Sequence, residues 1–249
     1  MKIHWFKTNL SVIQKICLSG LLMALVVILQ KVVAINYLAF APFVRISLGG
    51  PALIIFSSIL LGPIYGALIG MGSDLLGYLI FDPRMQPPFL QITAIYTFLG
   101  FAAYFIFSLI HTIKNRTLLK IIEVSTMAVI LIAVTLFFST YDIPLLGKIL
   151  IPVCLGVVLV GIILFSFLYK AKEENPVLDP LHICFASFIC DFFIIVLFGS
   201  VMKAWAFGFE TFLVIIMSQA MVMFVNVTLD TLFISALSRF TKKYFVEVR

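Results

Sequence analysis

Three carboxylates lie inside apolar runs of this chain: Asp74, Asp191 and Asp230. An ionisable group is expensive in such a run, and where one is kept it faces a cavity, a partner or a pathway. Asp74 and Asp191 are the candidates for ligand contact or for carrying a coupled proton. The competing reading of each is a hydrogen-bonded structural acid, and Asp230 reads as structural or interfacial. Tyr78 follows Asp74 by one helical turn on the same face. In the last apolar run Gln219 and Asn226 are seven residues apart, with Ser218 alongside. That spacing puts both amides on one helix face, where they either meet a ligand or bond to a neighbouring helix. Arg45 and Arg84 stand at the edges of apolar segments. An arginine fork matches a carboxylate at two points, and a solvated interface charge is the alternative.

Signatures of covalent or metal-assisted catalysis are missing from the sequence: it has no HExxH, no GxSxG and no Walker A lysine loop. His4, His111 and His182 fall at chain or helix ends and read as snorkelling side chains rather than metal ligands. Cys17, Cys154, Cys184 and Cys190 lie in apolar runs at spacings that suit neither zinc nor a disulfide framework. Buried structural thiols are expected. The chain is expected not to be an enzyme and to hold no cofactor or metal of its own.

Composition says what scaffold must position these groups. Of 249 residues 63% are hydrophobic and only 11% charged, and the mean hydropathy is +1.21. A soluble domain of this size has no means of hiding so much apolar surface. The expectation is an all-α, polytopic transmembrane bundle in a single domain. A span takes about 20 apolar residues, and the runs place about eight helices near 13–33, 48–61, 64–81, 90–111, 121–139, 149–169, 181–200 and 211–240. The first run is too long for a signal-peptide core and lacks a small-residue cleavage site, so it reads as a span. Residues 34–47, 82–88 and 201–210 are expected to be loops, the last carrying Lys203 and Trp205. Twelve of the seventeen lysines and arginines collect on the side that would hold both termini. The positive-inside rule puts that side in the cytoplasm. The net charge of +6 is then a matter of topology, not of nucleic-acid binding.

One stretch differs from the rest. Residues 43–92 hold seven of the fourteen glycines, and Gly62, Gly66 and Gly70 recur every four residues toward Asp74 and Tyr78. Gly62-Pro63 breaks one helix from the next. A glycine face flanked by Arg45 and Asp74 predicts a wall of a ligand pocket, open to the outside. In the first span Gly20 and Ala24 are four apart, a small-xxx-small pattern that admits close helix approach. It serves either a partner protein or internal packing.

The motifs FVRISLGGPALII and LLGPIYGALIGMGSDLLGYLIF, followed by a proline-bearing loop, occur in order. They resemble the substrate-binding S components of energy-coupling factor (ECF) vitamin transporters, most of all the folate-type group, over about residues 13–112. The resemblance implies a vitamin pocket near Arg45, Asp74, Tyr78 and Gln91. The last two helices, with Asp191 and Gln219, would complete it. It also implies that Gly20 and Ala24 dock a transmembrane coupling subunit, and that two ATPase subunits use the ATP. Such components usually have six helices, so the pair near 121–169 is additional. The folate-type basic residue entering the last helix is absent from ETFLVIIMSQ. Two other functions fit the residues: a stand-alone proton-coupled permease using Asp74 or Asp191, and a membrane scaffold without a ligand.

Overall fold

The computed structural model describes residues 7–8, 10–32, 35–38, 41–46, 49–81, 90–113, 115–140, 145–168, 179–244 and 246–247. Among these the chain is an all-helical bundle with two short ladders at its margins. The helices are α1 (Val12–Val27), α2 (Gly50–Leu61), α3 (Pro63–Phe81), α4 (Leu90–His111), α5 (Arg116–Thr140) and α6 (Leu145–Leu168). There follow α7 (Pro180–Cys190), α8 (Gly199–Phe207) and α9 (Phe212–Tyr244). A π-helical turn at Ile28–Val32 prolongs α1, and another at Asp191–Phe198 joins α7 to α8 into one rod. Counted that way there are eight helices, and six are long and apolar enough to cross a membrane. Large apolar side chains such as Ile13, Leu79, Leu109 and Leu213 face outward, as a lipid-exposed surface requires.

Local sequence explains the helix ends. Ser11 accepts a hydrogen bond from the Gln14 amide, and Gln14 reciprocates to the Ser11 amide, a capping box at the start of α1. Pro180 is the first residue of α7, and the Asp179 side chain accepts from the Leu181 amide. Gly62 stands between α2 and α3 at φ 103°, a conformation that residues bearing a Cβ avoid. The break expected at Gly62-Pro63 is there.

Helix α2 has 12 residues, all buried, and packs against α1, α3, α4 and α9. At 1.5 Å per residue it is about 18 Å long, short of a bilayer core of about 30 Å. It is the apolar centre of the bundle rather than a lipid-facing span. On one side α3 packs most closely with α4, while on the other α7, the π turn and α9 pack together. The pair α5–α6 leans on this second side, α5 on α7 and α9 and α6 on α9.

Three expectations need correction. The segment before α2 was expected to be a loop, yet Ile35–Leu38 (β2) and Ala41–Ile46 (β3) form an antiparallel ladder with Asn36 opposite Arg45. Residues 201–207, expected in a loop, continue the α7 rod as helix, because nothing breaks it before Gly208 at φ 103°. Cys17 and Cys154 are exposed, whereas Cys184 and Cys190 are buried. A cysteine in an apolar run of a membrane helix faces lipid as readily as the core. The loop at 82–88, with Arg84, lies outside the described residues. The two ends of the chain meet: Lys7–Thr8 (β1) pairs with Val246–Glu247 (β4).

Candidate functional site

The expected site residues divide between two buried polar centres. The first joins α1, α3 and α4. Asp74 is 7% exposed. Its Oδ1 lies 3.4 Å from the Lys31 ammonium, and its Oδ2 accepts a 2.7 Å hydrogen bond from the Thr93 hydroxyl. The sequence alone did not name either partner. Lys31 ends the first span on its π turn, and its aliphatic stem runs across α3 at Gly77, where a Cβ would collide with it. Tyr78 is half-buried one turn beyond Asp74, and Gln91 is half-buried two residues before Thr93. The centre is thus an acid held by an ammonium and a hydroxyl. That arrangement fixes the carboxylate and neutralises it locally.

The glycines beside Asp74 do not line an open wall. A Cβ on Gly66 would lie 2.5 Å from the Gly100 carbonyl oxygen and 2.6 Å from Ser58 Cβ. One on Gly70 would strike the Tyr96 carbonyl, and one on Gly72 would lie 2.6 Å from the Met23 side chain. The backbone of α4 and the Met23 side chain of α1 fill that space, so the glycine face serves the α3–α4 and α3–α1 contacts. The pocket wall expected there is replaced by helix packing.

Gly20 and Ala24 behave differently. Both are exposed on α1, and a Cβ on Gly20 would meet nothing within 4 Å. Among the described residues nothing packs closely on Gly20.

The second centre lies between the α7 rod and α9. Asp191 is wholly buried at the first residue of the π turn, and among the described residues neither of its carboxyl oxygens has a hydrogen-bond partner. It faces Asp230 closely enough for the two carboxyl groups to interact electrostatically. Asp230 accepts from the Ala52 amide, one of the first free N–H groups of α2, while its Oδ2 is unpartnered. So α9 caps the central helix, whose own N-cap, Gly49, offers no side chain. Gly49 sits at φ 86° against the Phe233 ring, 2.9 Å from where its Cβ would be, and so suits only glycine. Gln219 and Asn226 share the inward side of α9, at 4% and 5% exposure. Strand β3, which carries Arg45, runs along α9. The side chain of Arg45 lies outside the described residues, and the backbone places its strand by the second centre's helix rather than by α3.

Two further polar contacts tie the periphery to the core. The Cys184 thiol donates to Glu123 Oε1 at 2.9 Å, linking α5 to α7. His182 does not snorkel: it is buried, with Nδ1 2.8 Å from Asp179 Oδ2 and Nε2 3.2 Å from the Ile113 carbonyl. Between α6, α7 and α9 lies an apolar cleft of about 280 Å³, lined by Val158, Gly161, Ile162, Cys184 and residues of α9. Among the described residues no group of three His, Cys, Asp or Glu side chains comes together as a metal site.

The chain matches no family model, no curated protein and no solved structure. Fold and site together define a class: a multi-pass helical membrane protein with two separate buried polar centres.

Proposed function

We propose that this chain is the substrate-binding subunit of an ECF-type importer in the cell membrane. It captures a folate-like or other heteroaromatic vitamin from outside, and partner subunits drive uptake with ATP. The observation that carries the reading is the exposed Gly20–Ala24 face of α1, shaped for close approach and left open at Gly20 among the described residues. A transmembrane coupling subunit is the partner that such a face suits, and two ATPases complete the assembly. The motif order around Arg45 and Asp74 supports the same reading, as does the pairing of the two chain ends on one side. Charge bias makes that side cytoplasmic. In this reading Asp74, Tyr78 and Gln91 bind the vitamin from the α3–α4 side, and Arg45, Asp191 and Gln219 reach it from the α9 side.

Co-expression with a coupling subunit and two ATPases tests the assembly. The four chains are expected to co-purify and to support ATP-dependent vitamin uptake. Gly20→Leu or Ala24→Leu is expected to abolish co-purification and uptake while the isolated chain keeps its vitamin affinity. Loss of binding together with uptake would turn the reading back toward a folding role for that face. If Arg45→Ala and Asp74→Asn both leave vitamin affinity unchanged, the pocket lies elsewhere.

Asp191 favours a second reading, a stand-alone proton-coupled permease. Its carboxyl group is buried about 17 Å along the α7 rod at 1.5 Å per residue, near mid-membrane, with no hydrogen-bond partner among the described residues. Uptake that survives ATP depletion but collapses with an uncoupler would select this reading over the first.

A further inference from the structure

The cleft between α6, α7 and α9, about 280 Å³ in volume, differs in chemistry from both polar centres. Three of its wall residues carry a polar side-chain atom, and each of those atoms has a protein partner. The Thr228 hydroxyl donates to the Phe224 carbonyl at 3.0 Å, the Thr231 hydroxyl to the Val227 carbonyl at 2.7 Å, and the Cys184 thiol to Glu123. What faces the cleft is hydrocarbon. A buried water needs two to four polar partners, and a heteroaromatic ring needs a few placed polar groups. This cleft offers neither, so it is no part of the vitamin pocket. It also opens sideways. Leu232 lines it and is 62% exposed. Gly161 lies on one face of α6 between Val157 and Leu164, both exposed. In a bilayer such residues face acyl chains, so the mouth of the cleft meets lipid tails. Among the described residues nothing packs on Gly161, where a Cβ would have open space, and α6 packs on α5 and α9 but not closely on α7.

The helix register gives the cleft a depth. Cys184 lies about 6 Å from the start of α7 and Ile162 about 9 Å from the end of α6, at 1.5 Å per residue. Helix α9 runs antiparallel to the α7 rod and ends on the same side, where β1 and β4 pair. The cleft therefore lies in the leaflet on that side. The same side carries positive charge. Cys184 and Thr231 both line the cleft and are within hydrogen-bond reach of each other, which sets Pro180 level with Ser235 on α9. Arg239 is one turn further on, where headgroups lie against a span. Thr228, Leu232 and Arg239 share one face of α9, by their spacings of four and seven residues. Arg239 is exposed and, among the described residues, forms no ion pair. Lys242 and Lys243 follow it on the helix. A cation in line with an acyl-shaped cleft, at the edge of the hydrocarbon, matches an anionic headgroup.

We propose that this cleft binds an acyl chain of one anionic phospholipid, whose headgroup sits at Arg239. The chain fills the space that α6 leaves against α7 and α9, and so joins the α5–α6 pair to the rest of the bundle. This site is independent of the importer reading.

The test uses the full chain, purified in detergent, stripped of lipid and offered phosphatidylglycerol or phosphatidylcholine of equal chain length. Native mass spectrometry counts the lipid retained, and thermal unfolding follows its effect. The wild type is expected to retain one phosphatidylglycerol per chain, with a raised midpoint. It should hold that lipid about fivefold more tightly than phosphatidylcholine, the worth of one cation near a membrane surface. Gly161→Leu is expected to abolish retention of both lipids, and Arg239→Gln to retain both alike. A phosphatidylglycerol with a diazirine on its acyl chain is expected to label residues 158–162 and 228–232 of the wild type, which decides the matter even if a variant fails to fold. Labelling elsewhere on the bundle would overturn the proposal, as would equal retention of the two lipids by the wild type. So would a folded Gly161→Leu variant that holds lipid as before. Dimers without retained lipid in the same spectra would assign the cleft to a second copy of the chain instead.

Discussion

Asp74 illustrates how far a single residue is readable. An acid in an apolar run announces itself, and its neighbours in a helix follow from the 3.6-residue period. Its counter-ion does not, because Lys31 is 43 positions away and is brought to it only by the α1–α3 contact. The same applies to Thr93, which reads as an ordinary span residue until α4 sets its hydroxyl 2.7 Å from Asp74. The arrangement predicts an asymmetric response. Lys31→Ala leaves a buried carboxylate with only a hydroxyl partner, and breaking a buried pair in this way costs about 3–5 kcal/mol. Replacing both members, as Lys31→Met with Asp74→Leu, is expected to recover most of that loss. Denaturation of the three variants in detergent measures the difference. A double variant as unstable as Lys31→Ala would mean that the pair does not act as a unit. Asp191 was readable in the same sense as Asp74, but its closeness to Asp230 was not, since their separation in sequence carries no periodic signal.

At the scale of elements, glycine spacing proved ambiguous. Gly66 and Gly70 on α3 and Gly20 with Ala24 on α1 follow the same four-residue rule. Only the neighbours decide what each pattern is for. Around Gly70 and Gly66 the backbone of α4 already occupies the Cβ position, while around Gly20 there is open space. Gly70→Leu is therefore expected to destabilise the bundle by about 1–3 kcal/mol or more, the scale of overpacking. Gly20→Leu is expected to leave the melting temperature of the isolated chain unchanged. Parallel thermal melts check the contrast. A comparable loss in both would show that α1 has an internal partner on that face. The hairpin before α2 escaped notice for a related reason. Its strands are four and six residues long, one begins Ala-Pro, and their pairing is a contact between segments rather than a property of either.

The whole molecule combines a core around α2 with a peripheral pair, α5–α6, tied to it by the Glu123–Cys184 hydrogen bond among other contacts. That attachment is incomplete, because α6 leaves the apolar cleft against α7 and α9. Gly161 opens onto the cleft with nothing within 4 Å of a Cβ there. Gly161→Leu is expected to fill it and to stabilise the protein by about 0.5–2 kcal/mol, as cavity-filling changes do. An unchanged or lowered unfolding midpoint would mean that the space is not free to be filled. By itself the sequence determined the membrane class, the number and approximate limits of the helices, the break at Gly62-Pro63 and the acids worth attention. Each of these depends on local hydrophobicity, period or backbone chemistry within a few residues. Tertiary structure alone decided that the α3 glycines pack rather than line a pocket, that Lys31 and Thr93 hold Asp74, and that Asp191 and Asp230 come within electrostatic reach of each other. Those are contacts between segments far apart in the chain, and helix periodicity says which face a residue is on but not which helix will cover it.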